Sequence, residues 1–189
     1  GPIPSFMEAH ILMALETVSL RSVGRTKLSE ILGLGMGVTR TLIRHLKAEG
    51  LIEISRSGIT LSEPGRRILE EIKSKISYGL RVPKSSLTVG SYNVAVLVKG
   101  VSKAVRYGIE QRDAAIKVGA TGATTLIFKG NKLILPGVDE EAVQDVEDIY
   151  NLLKSKLKPE ENDVIIIGSA DDERTAELGA KTAALKLIK

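Results

Sequence analysis

The 189-residue chain contains no cysteine and no tryptophan, and only six of its residues are phenylalanine or tyrosine. Without cysteine, disulfides and thiolate metal sites are excluded. Both histidines, His10 and His45, lie before residue 79, so residues 79–189 lack a histidine base and a histidine-activated nucleophile. No H-E-x-x-H motif or carboxylate–histidine cluster is present. We therefore expect no metal, no cofactor and no catalytic residues.

Long apolar runs are also missing. The longest uncharged run, residues 85–98, has 14 residues and includes polar side chains, whereas a membrane-spanning helix needs about 20 apolar residues. The first residues do not show the charged and then apolar pattern of a signal peptide. We expect a cytoplasmic protein with no membrane partner.

Charge is unevenly distributed along the chain, whose formal net charge is +4. Residues 81–132 contain 9 Lys or Arg residues against 2 acidic ones, Glu110 and Asp113, whereas residues 133–189 contain 7 against 13. Two explanations remain open for the basic segment. It binds a polyanion, or it faces the acidic segment within one domain.

Periodicity in the first 78 residues predicts three helices, a hairpin and a further helix. Apolar spacings of three and four predict helices over residues 5–20, 27–32 and 36–49, with Thr26 as the N-cap of the second. Two short strands flank the polar turn Arg56-Ser57-Gly58. Ser62 is then expected to cap a helix that extends to residue 78. Residues 79–86 lose periodicity and contain Gly and Pro, so they form the candidate linker.

The remainder, residues 87–189, alternates between strand and helix patterns. We predict strands over residues 88–98, 124–128, 133–135 and 163–167, and helices over residues 101–118, 139–157 and 171–188. This β-α-β-β-α-β-α order is typical of a small α/β sandwich domain. The predicted fold class of the whole chain is therefore α+β, with a domain of residues 1–78 before the linker.

The glycine-rich stretch GLGMGVTR, residues 33–40, has two interpretations. A phosphate-binding loop requires a buried strand before the glycines and a helix after them. The preceding residues 27–32 instead have a short helical pattern, and the Lys-Ser/Thr pair of a Walker loop is missing. A short helix, a glycine-containing turn and a second helix indicate a helix-turn-helix.

The stretch LGLGMGVTRTLIRHLKAEGLIE resembles the turn and recognition helix of a MarR-type winged helix, and TLSEPGRRIL resembles the helix start after the wing. This resemblance covers about residues 6–78 and implies binding of double-stranded DNA by a homodimer. Gly35 departs from the pattern, because the family usually has a Ser N-cap there. The whole chain resembles an archaeal winged-helix family whose C-terminal α/β domain is uncharacterised.

The predicted recognition helix has one polar face. If Thr39, Leu42 and Leu46 point inward, Arg40 and Arg44 lie one turn apart on the outer face, where arginine can contact guanine in the major groove. The alternative is a solvated helix face, or a winged helix that binds protein. The predicted DNA-binding residues are Arg25, Thr26, Lys27, Met36, Gly37, Arg40, Thr41, Arg44 and Arg56.

In the second domain, two loops rich in small residues, 119–125 and 167–171, suggest a site for a small anionic metabolite, because the ends of strands commonly bind ligands in α/β folds. The alternative is that small residues allow close helix packing and that Ser169 caps the last helix. An acidic run on the helix predicted over residues 139–157 could suggest a divalent metal, but it is more typical of a solvated face; it comprises Asp139, Glu140, Glu141, Asp145, Glu147 and Asp148. The predicted ligand-binding residues are Arg106, Arg112, Asp113, Thr121, Gly122, Thr124, Gly168 and Ser169.

These observations favour a transcriptional regulator that is not an enzyme. Its winged helix would bind duplex DNA, and its C-terminal domain would sense a small molecule, dimerise, or do both. Two alternatives remain: an enzyme acting on a phosphorylated metabolite with an accessory winged helix, and a protein-interaction scaffold.

Overall fold

A computed structural model describes residues 6–138 and 146–189 of the chain. The chain forms two compact units, Gly1–Ile72 and Lys73–Lys189. The division at residue 72 lies upstream of the segment 79–86 that the sequence suggested as a linker. The mixed α+β class that the sequence predicts is confirmed.

The N-terminal unit has the predicted element order. Its helices are α1 (Glu8–Leu20), α2 (Arg25–Leu32), α3 (Met36–Ala48) and α4 (Glu63–Lys73), and the hairpin between α3 and α4 consists of β1 (Ile52–Ser55) and β2 (Gly58–Leu61). The strands pair antiparallel. Leucines on the inner faces of the first three helices form the core because their spacings of three and four place them on one side of each helix. The fully buried ones are Leu12, Leu15, Leu28, Leu32, Leu42 and Leu46.

A single hydroxyl joins the end of α3 to the start of α4. Ser62 accepts a hydrogen bond from the backbone N–H of Gly65 at 3.1 Å, as expected for an N-cap, and its Oγ donates to the carbonyl of Gly50 at 2.5 Å. Gly65 is also sterically required, because a Cβ at this position would lie 2.0 Å from the carbonyl oxygen of Leu51.

Two helix boundaries in this region differ from the sequence-based prediction. α2 begins at Arg25 with Gly24 as its N-cap, so Thr26 lies inside the first turn and does not cap it. α4 ends at Lys73, well before residue 78. The chain leaves the helix there because Ile76 forms a bridge with Val98 of the C-terminal sheet, and the N–H of Lys99 donates to Lys75 O at 2.9 Å.

The C-terminal unit is a five-stranded sheet with helices on both faces. Its elements are β3 (Leu80–Arg81), β4 (Tyr92–Val98), a 3₁₀ turn (Ser102–Ala104), α5 (Ile109–Lys117), β5 (Gly122–Lys129), β6 (Lys132–Ile134), α6 (Glu147–Leu157), β7 (Val164–Ala170) and α7 (Glu173–Leu187). The strand order is β3-β4-β7-β5-β6, and every neighbouring pair is antiparallel.

The central strand β7 is buried along its whole length. On one face of the sheet, residues such as Leu97, Ile165 and Leu126 form an apolar core with Leu153 of α6. On the other face, α5 and α7 pack through small residues, among them Ala115 and Ala176. Small side chains permit this close approach of helix to sheet.

Three predicted elements of this domain are corrected by the structure. The helix expected over residues 101–118 is a short 3₁₀ turn followed by α5, because Gly108 adopts a left-handed conformation with φ +81°. Arg106 therefore precedes the helix. The strand expected from residue 88 begins at Tyr92, and Leu80–Arg81 of the expected linker forms an edge strand against Ala95 and Val94. Of the helix expected over 139–157, α6 is described from Glu147. Glu147 and Asp148 of the acidic run are exposed in its first turn, and the other four residues of the run lie outside the described residues.

Candidate nucleic-acid interface

The glycine-rich stretch is the turn of a helix-turn-helix. Gly33 ends α2 in a left-handed conformation (φ +67°); its N–H donates to Glu30 O at 3.3 Å, and the N–H of Leu34 donates to Ser29 O at 3.2 Å. This bonding pattern satisfies the last carbonyls of a helix and reverses the chain. Because a helix and not a strand precedes the glycines, the phosphate-loop interpretation is excluded.

The second helix of this motif, α3, begins without a side-chain cap. Gly35 is its N-cap residue, and its carbonyl accepts from both the N–H and the Oγ1 of Thr39, each at 2.9 Å. Gly37 lies in the first turn. Within the described part of the chain, a Cβ placed on Gly37 would meet no neighbouring atom within 4 Å. The first turn is therefore helical although it lacks the Ser cap of the MarR-type pattern.

α3 buries one face and exposes the other. Thr39, Leu42, Ile43 and Leu46 are buried, whereas Arg40 and Arg44 are exposed. The buried set anchors the helix on the core, so the two arginines project from a fixed surface.

The exposed face of α3 forms one wall of a basic groove of about 550 Å³. The start of α2 and the hairpin contribute the other walls. Five of the described residues that line the groove are basic, and no described residue in the lining is acidic. The groove is lined by Gly24, Arg25, Arg40, Ile43, Arg44, Lys47, Ile54, Ser55, Arg56, Gly58 and Ile59.

The hairpin is joined to the segment before α2 by backbone hydrogen bonds and by one side-chain hydroxyl. Val23, just before α2, pairs with Ile59 of β2, and the Oγ of Ser22 donates to the carbonyl of Ser57 at 2.6 Å. Gly58 permits this approach, because a Cβ there would lie 2.7 Å from the carbonyl oxygen of Val23. These contacts hold the turn with Arg56 at the rim of the groove.

Of the predicted DNA-binding residues, the structure brings Arg25, Arg40, Arg44 and Arg56 together in this groove. The other five do not line it. Lys27 lies 3.9 Å from Glu30, and the Oγ1 of Thr41 donates to the carbonyl of Gly37 at 3.1 Å. The residues outside the lining are Thr26, Lys27, Met36, Gly37 and Thr41.

Sequence reasoning missed Lys47, which also lines the groove. It follows Arg40 and Arg44 at positions i+7 and i+3, which lie on the same helix face. This spacing was available in the sequence, so the residue could have been found from it.

The predicted ligand residues of the C-terminal domain do not form the two-loop site that the sequence suggested. The sheet is antiparallel, so the rule that places ligands at the carboxyl ends of parallel strands does not apply. Gly168 faces α7, where a Cβ would lie 2.2 Å from Ala176 O. Ser169 is fully buried and its Oγ donates to the Asn93 side chain at 2.6 Å. Both residues have structural roles.

The remaining predicted ligand residues separate into two groups. Arg112 and Thr124 line a cavity of about 220 Å³ beside α5, and Asp113 lies 3.3 Å from Arg112. Arg106 and Thr121 are exposed and Gly122 is buried, and these three lie outside that cavity lining.

Within the described residues, no three His, Asp or Glu side chains are placed to hold a metal ion. The same part of the chain also has no helix long and apolar enough to cross a bilayer.

The helix-turn-helix and the hairpin beside it define the fold of the N-terminal unit, which is a winged helix with a basic groove between these two parts. Residues 9–76 match the family model described as the CggR N-terminal DNA binding domain. Residues 89–187 match the model described as a domain of unknown function, DUF4443. This second match covers more than half of the chain, and the protein belongs to that family.

One solved structure is similar over nearly the whole chain. It is described as hypothetical protein PH0730 from Pyrococcus horikoshii OT3, with 28% sequence identity and a TM-score of 0.78, covering 97% of this chain and 93% of that chain. No curated protein matches the sequence.

Proposed function

We propose that this protein is a transcriptional regulator whose winged helix binds specific sites in duplex DNA as a homodimer, and whose C-terminal domain responds to a small anionic effector. The observation that supports this proposal most strongly is the groove with five basic and no acidic lining residues in the N-terminal domain. A role on genomic DNA implies a cytoplasmic location.

The groove has the chemistry that duplex DNA requires. The major groove is about 12 Å wide and admits an α-helix, and arginine can donate two hydrogen bonds to guanine O6 and N7. Arg40 and Arg44 project from the exposed face of α3. We propose that these two residues read base edges.

The other basic residues suit the phosphate backbone. Arg25 lies at the N-terminus of α2, Lys47 in the last turn of α3 and Arg56 at the hairpin turn, so the three belong to different parts of the groove lining. Contacts to phosphates position a protein on DNA without reading sequence. We propose this role for Arg25, Lys47 and Arg56.

The test is binding of the full chain to genomic DNA fragments at two salt concentrations. Arg40→Ala or Arg44→Ala should reduce preference for selected sites over random DNA by about 5- to 150-fold, since a bidentate base contact contributes about 1–3 kcal/mol of discrimination. Arg25→Ala should weaken binding to all sequences and reduce the salt slope by about 1. Arg67→Ala, an exposed change on α4 outside the groove lining, is the control.

Two results would contradict the proposal. A wild-type protein with no affinity for duplex DNA at low salt would favour the scaffold interpretation. An Arg40→Ala, Arg44→Ala double variant with wild-type site preference would exclude base reading by α3.

A further inference from the structure

The C-terminal domain contains a cavity of about 220 Å³ between the start of α5 and strand β5. We propose that it binds the phosphate or carboxylate group of a small metabolite. This volume has room for a phosphate or carboxylate group and part of a small molecule. The cavity is lined by Ser86, Leu87, Tyr107, Gly108, Ile109, Arg112, Ala123, Thr124, Thr125 and Leu135.

The N-terminus of α5 opens onto this cavity. Gly108 is the N-cap and has no side chain to bond the first-turn amides, and its carbonyl accepts the first helical hydrogen bond, from Arg112 N at 3.1 Å. The N–H groups of the first turn have no intrahelical partner and give this end of the helix a partial positive charge. Such a terminus favours an anion.

A second, independent feature is the hydroxyl of Thr125. The residue is only 2% exposed and lines the cavity, and its Oγ1 has no hydrogen-bond partner among the described residues. A buried hydroxyl without a partner costs about 1–3 kcal/mol. It lies against the start of α5, because a Cβ on Gly108 would be 3.3 Å from this oxygen. Because the residue lines the cavity, a bound group that reaches this oxygen supplies the partner that it lacks.

Arg112 supplies a cation at the same place. Its guanidinium lies 3.3 Å from the carboxylate of Asp113, and both side chains are about half exposed. An exposed ion pair of this kind contributes only about 0–1 kcal/mol, so Arg112 can exchange it for a phosphate or carboxylate, which the planar guanidinium contacts with two parallel hydrogen bonds. Residues 81–132, which include this arginine, contain an excess of seven basic residues.

Tyr107 lies at the mouth of the cavity. Its side chain is 70% exposed. Gly137 packs against its ring, since a Cβ on this glycine would lie 2.9 Å from the ring edge. The ring lies beside Gly137 on one side. Its exposed side can contact the part of the ligand that extends out of the cavity.

Binding can be measured on the full chain without DNA, using inorganic phosphate as the probe at constant ionic strength. In NMR titrations, phosphate should shift the amide signals of residues 109–112 and 125. Arg112→Gln should weaken this binding by about tenfold or more, because a charge-assisted contact is lost. Thr125→Val should also weaken it, whereas Thr125→Ser, which keeps the hydroxyl, should retain it.

Two control variants make the result specific. Lys103→Gln removes an exposed basic side chain outside the cavity lining and should leave phosphate binding unchanged. In an Arg40→Ala, Arg44→Ala double variant, phosphate should still shift the amide signals at the start of α5. This result distinguishes binding at the cavity from binding in the groove of the winged helix. Phosphate shifts confined to the winged helix, or equal affinities of wild type and Arg112→Gln, would overturn the proposal.

The effector role of this cavity rests on the proposed function, whereas anion binding does not. At matched ionic strength, phosphate should change the DNA affinity of the wild type more than that of Arg112→Gln. Equal changes in both proteins would refute the effector role. If the wild type did not bind DNA but phosphate still shifted the amide signals of residues 109–112, the proposed function would be contradicted and the anion site would not.

Discussion

Val23 and Ile59 exchange two backbone hydrogen bonds: Val23 N donates to Ile59 O at 3.2 Å, and Ile59 N donates to Val23 O at 2.7 Å. This bridge joins the segment before α2 to the hairpin. Arg25 follows Val23 by two residues, and Arg56 precedes Ile59 by three. The relative position of these two arginines therefore depends on backbone hydrogen bonds, which do not vary with side-chain rotamer.

Gly58→Ala should disrupt this arrangement. Gly58 has φ +119°, and a Cβ would lie 2.7 Å from the carbonyl oxygen of Val23. We expect a loss of about 2 kcal/mol or more in the free energy of unfolding, from combined backbone strain and collision, together with weaker DNA binding. Gly50→Ala is the control, because its φ is +74° but no described atom lies within 4 Å of a Cβ there. Equal losses for the two variants in urea unfolding would show that the contact with Val23 contributes nothing.

Gly37→Ala should stabilise the winged helix. Gly37 lies in the first turn of α3 with open space around a Cβ, and alanine is favoured over glycine in helices by up to about 1 kcal/mol. Gly33→Ala should have the opposite effect, because Gly33 has φ +67° at the end of α2. Urea unfolding of both variants measures the two changes. A destabilised Gly37→Ala protein would contradict this prediction.

Gly168→Ala should destabilise the C-terminal domain. A Cβ there would meet the backbone of α7, 2.2 Å from Ala176 O and 2.8 Å from Ala180 N. We expect a loss of about 2–3 kcal/mol, as for overpacking in a rigid core. Gly100→Ala, at φ +64° in open space, should cost less. If thermal unfolding gave the same stability for Gly168→Ala and wild type, the packing role of this residue would be wrong.

Lys73 should make stability depend on pH in the alkaline range. Burial, and secondarily the charge of Lys181, lowers the pKa of Lys73 to about 7, against the opposing effect of Glu177. Its ammonium lies 3.9 Å from the centroid of the Tyr78 ring. Burial also lowers the pKa of Lys181, which bonds Glu177 at 3.1 Å. Among the described residues, Lys181, Glu177 and Tyr78 are titratable groups that face the Lys73 amine.

The sign of the effect follows from proton binding in the two states. Below pH 7 both the folded and the unfolded chain keep the Lys73 proton, whereas between pH 7 and about 10.5 only the unfolded chain keeps it. Stability should therefore rise with pH across this range. Urea unfolding at pH 7, 8 and 9 should show a smaller rise for Lys73→Met than for wild type or for Lys75→Met. An identical rise in all three proteins would contradict the prediction.

The N-terminal fold could be predicted because its signals are local. Apolar spacings and the terminal glycines Gly33 and Gly50 mark the helices within a few residues. The start of α5 could not be predicted in this way, because apolar residues continue at helical spacing from residue 101. The helix begins only after Gly108, whose left-handed conformation accompanies its contact with Thr125 of β5. That contact depends on tertiary packing.

The groove and the cavity differ in the same way: local helix geometry determines the first, and tertiary packing determines the second. Arg40 and Arg44 could be placed on one face because helix geometry fixes residues four apart. The cavity beside α5 depends on which face of β5 each residue occupies and on what covers it. The sequence alone could not show that Ser169 bonds Asn93, nor that the Thr125 hydroxyl has no partner among residues 6–138 and 146–189.

Ser62 and Gly65 hold the end of α3 and the start of α4 together without touching the basic groove. The residues that maintain the architecture are thus distinct from the basic residues that line the groove. Substitutions at Arg40, Arg44 or Lys47 can accumulate without refolding the domain. Related proteins that keep Ser62 and Gly65 can therefore differ in the side chains that line the groove while keeping the same fold.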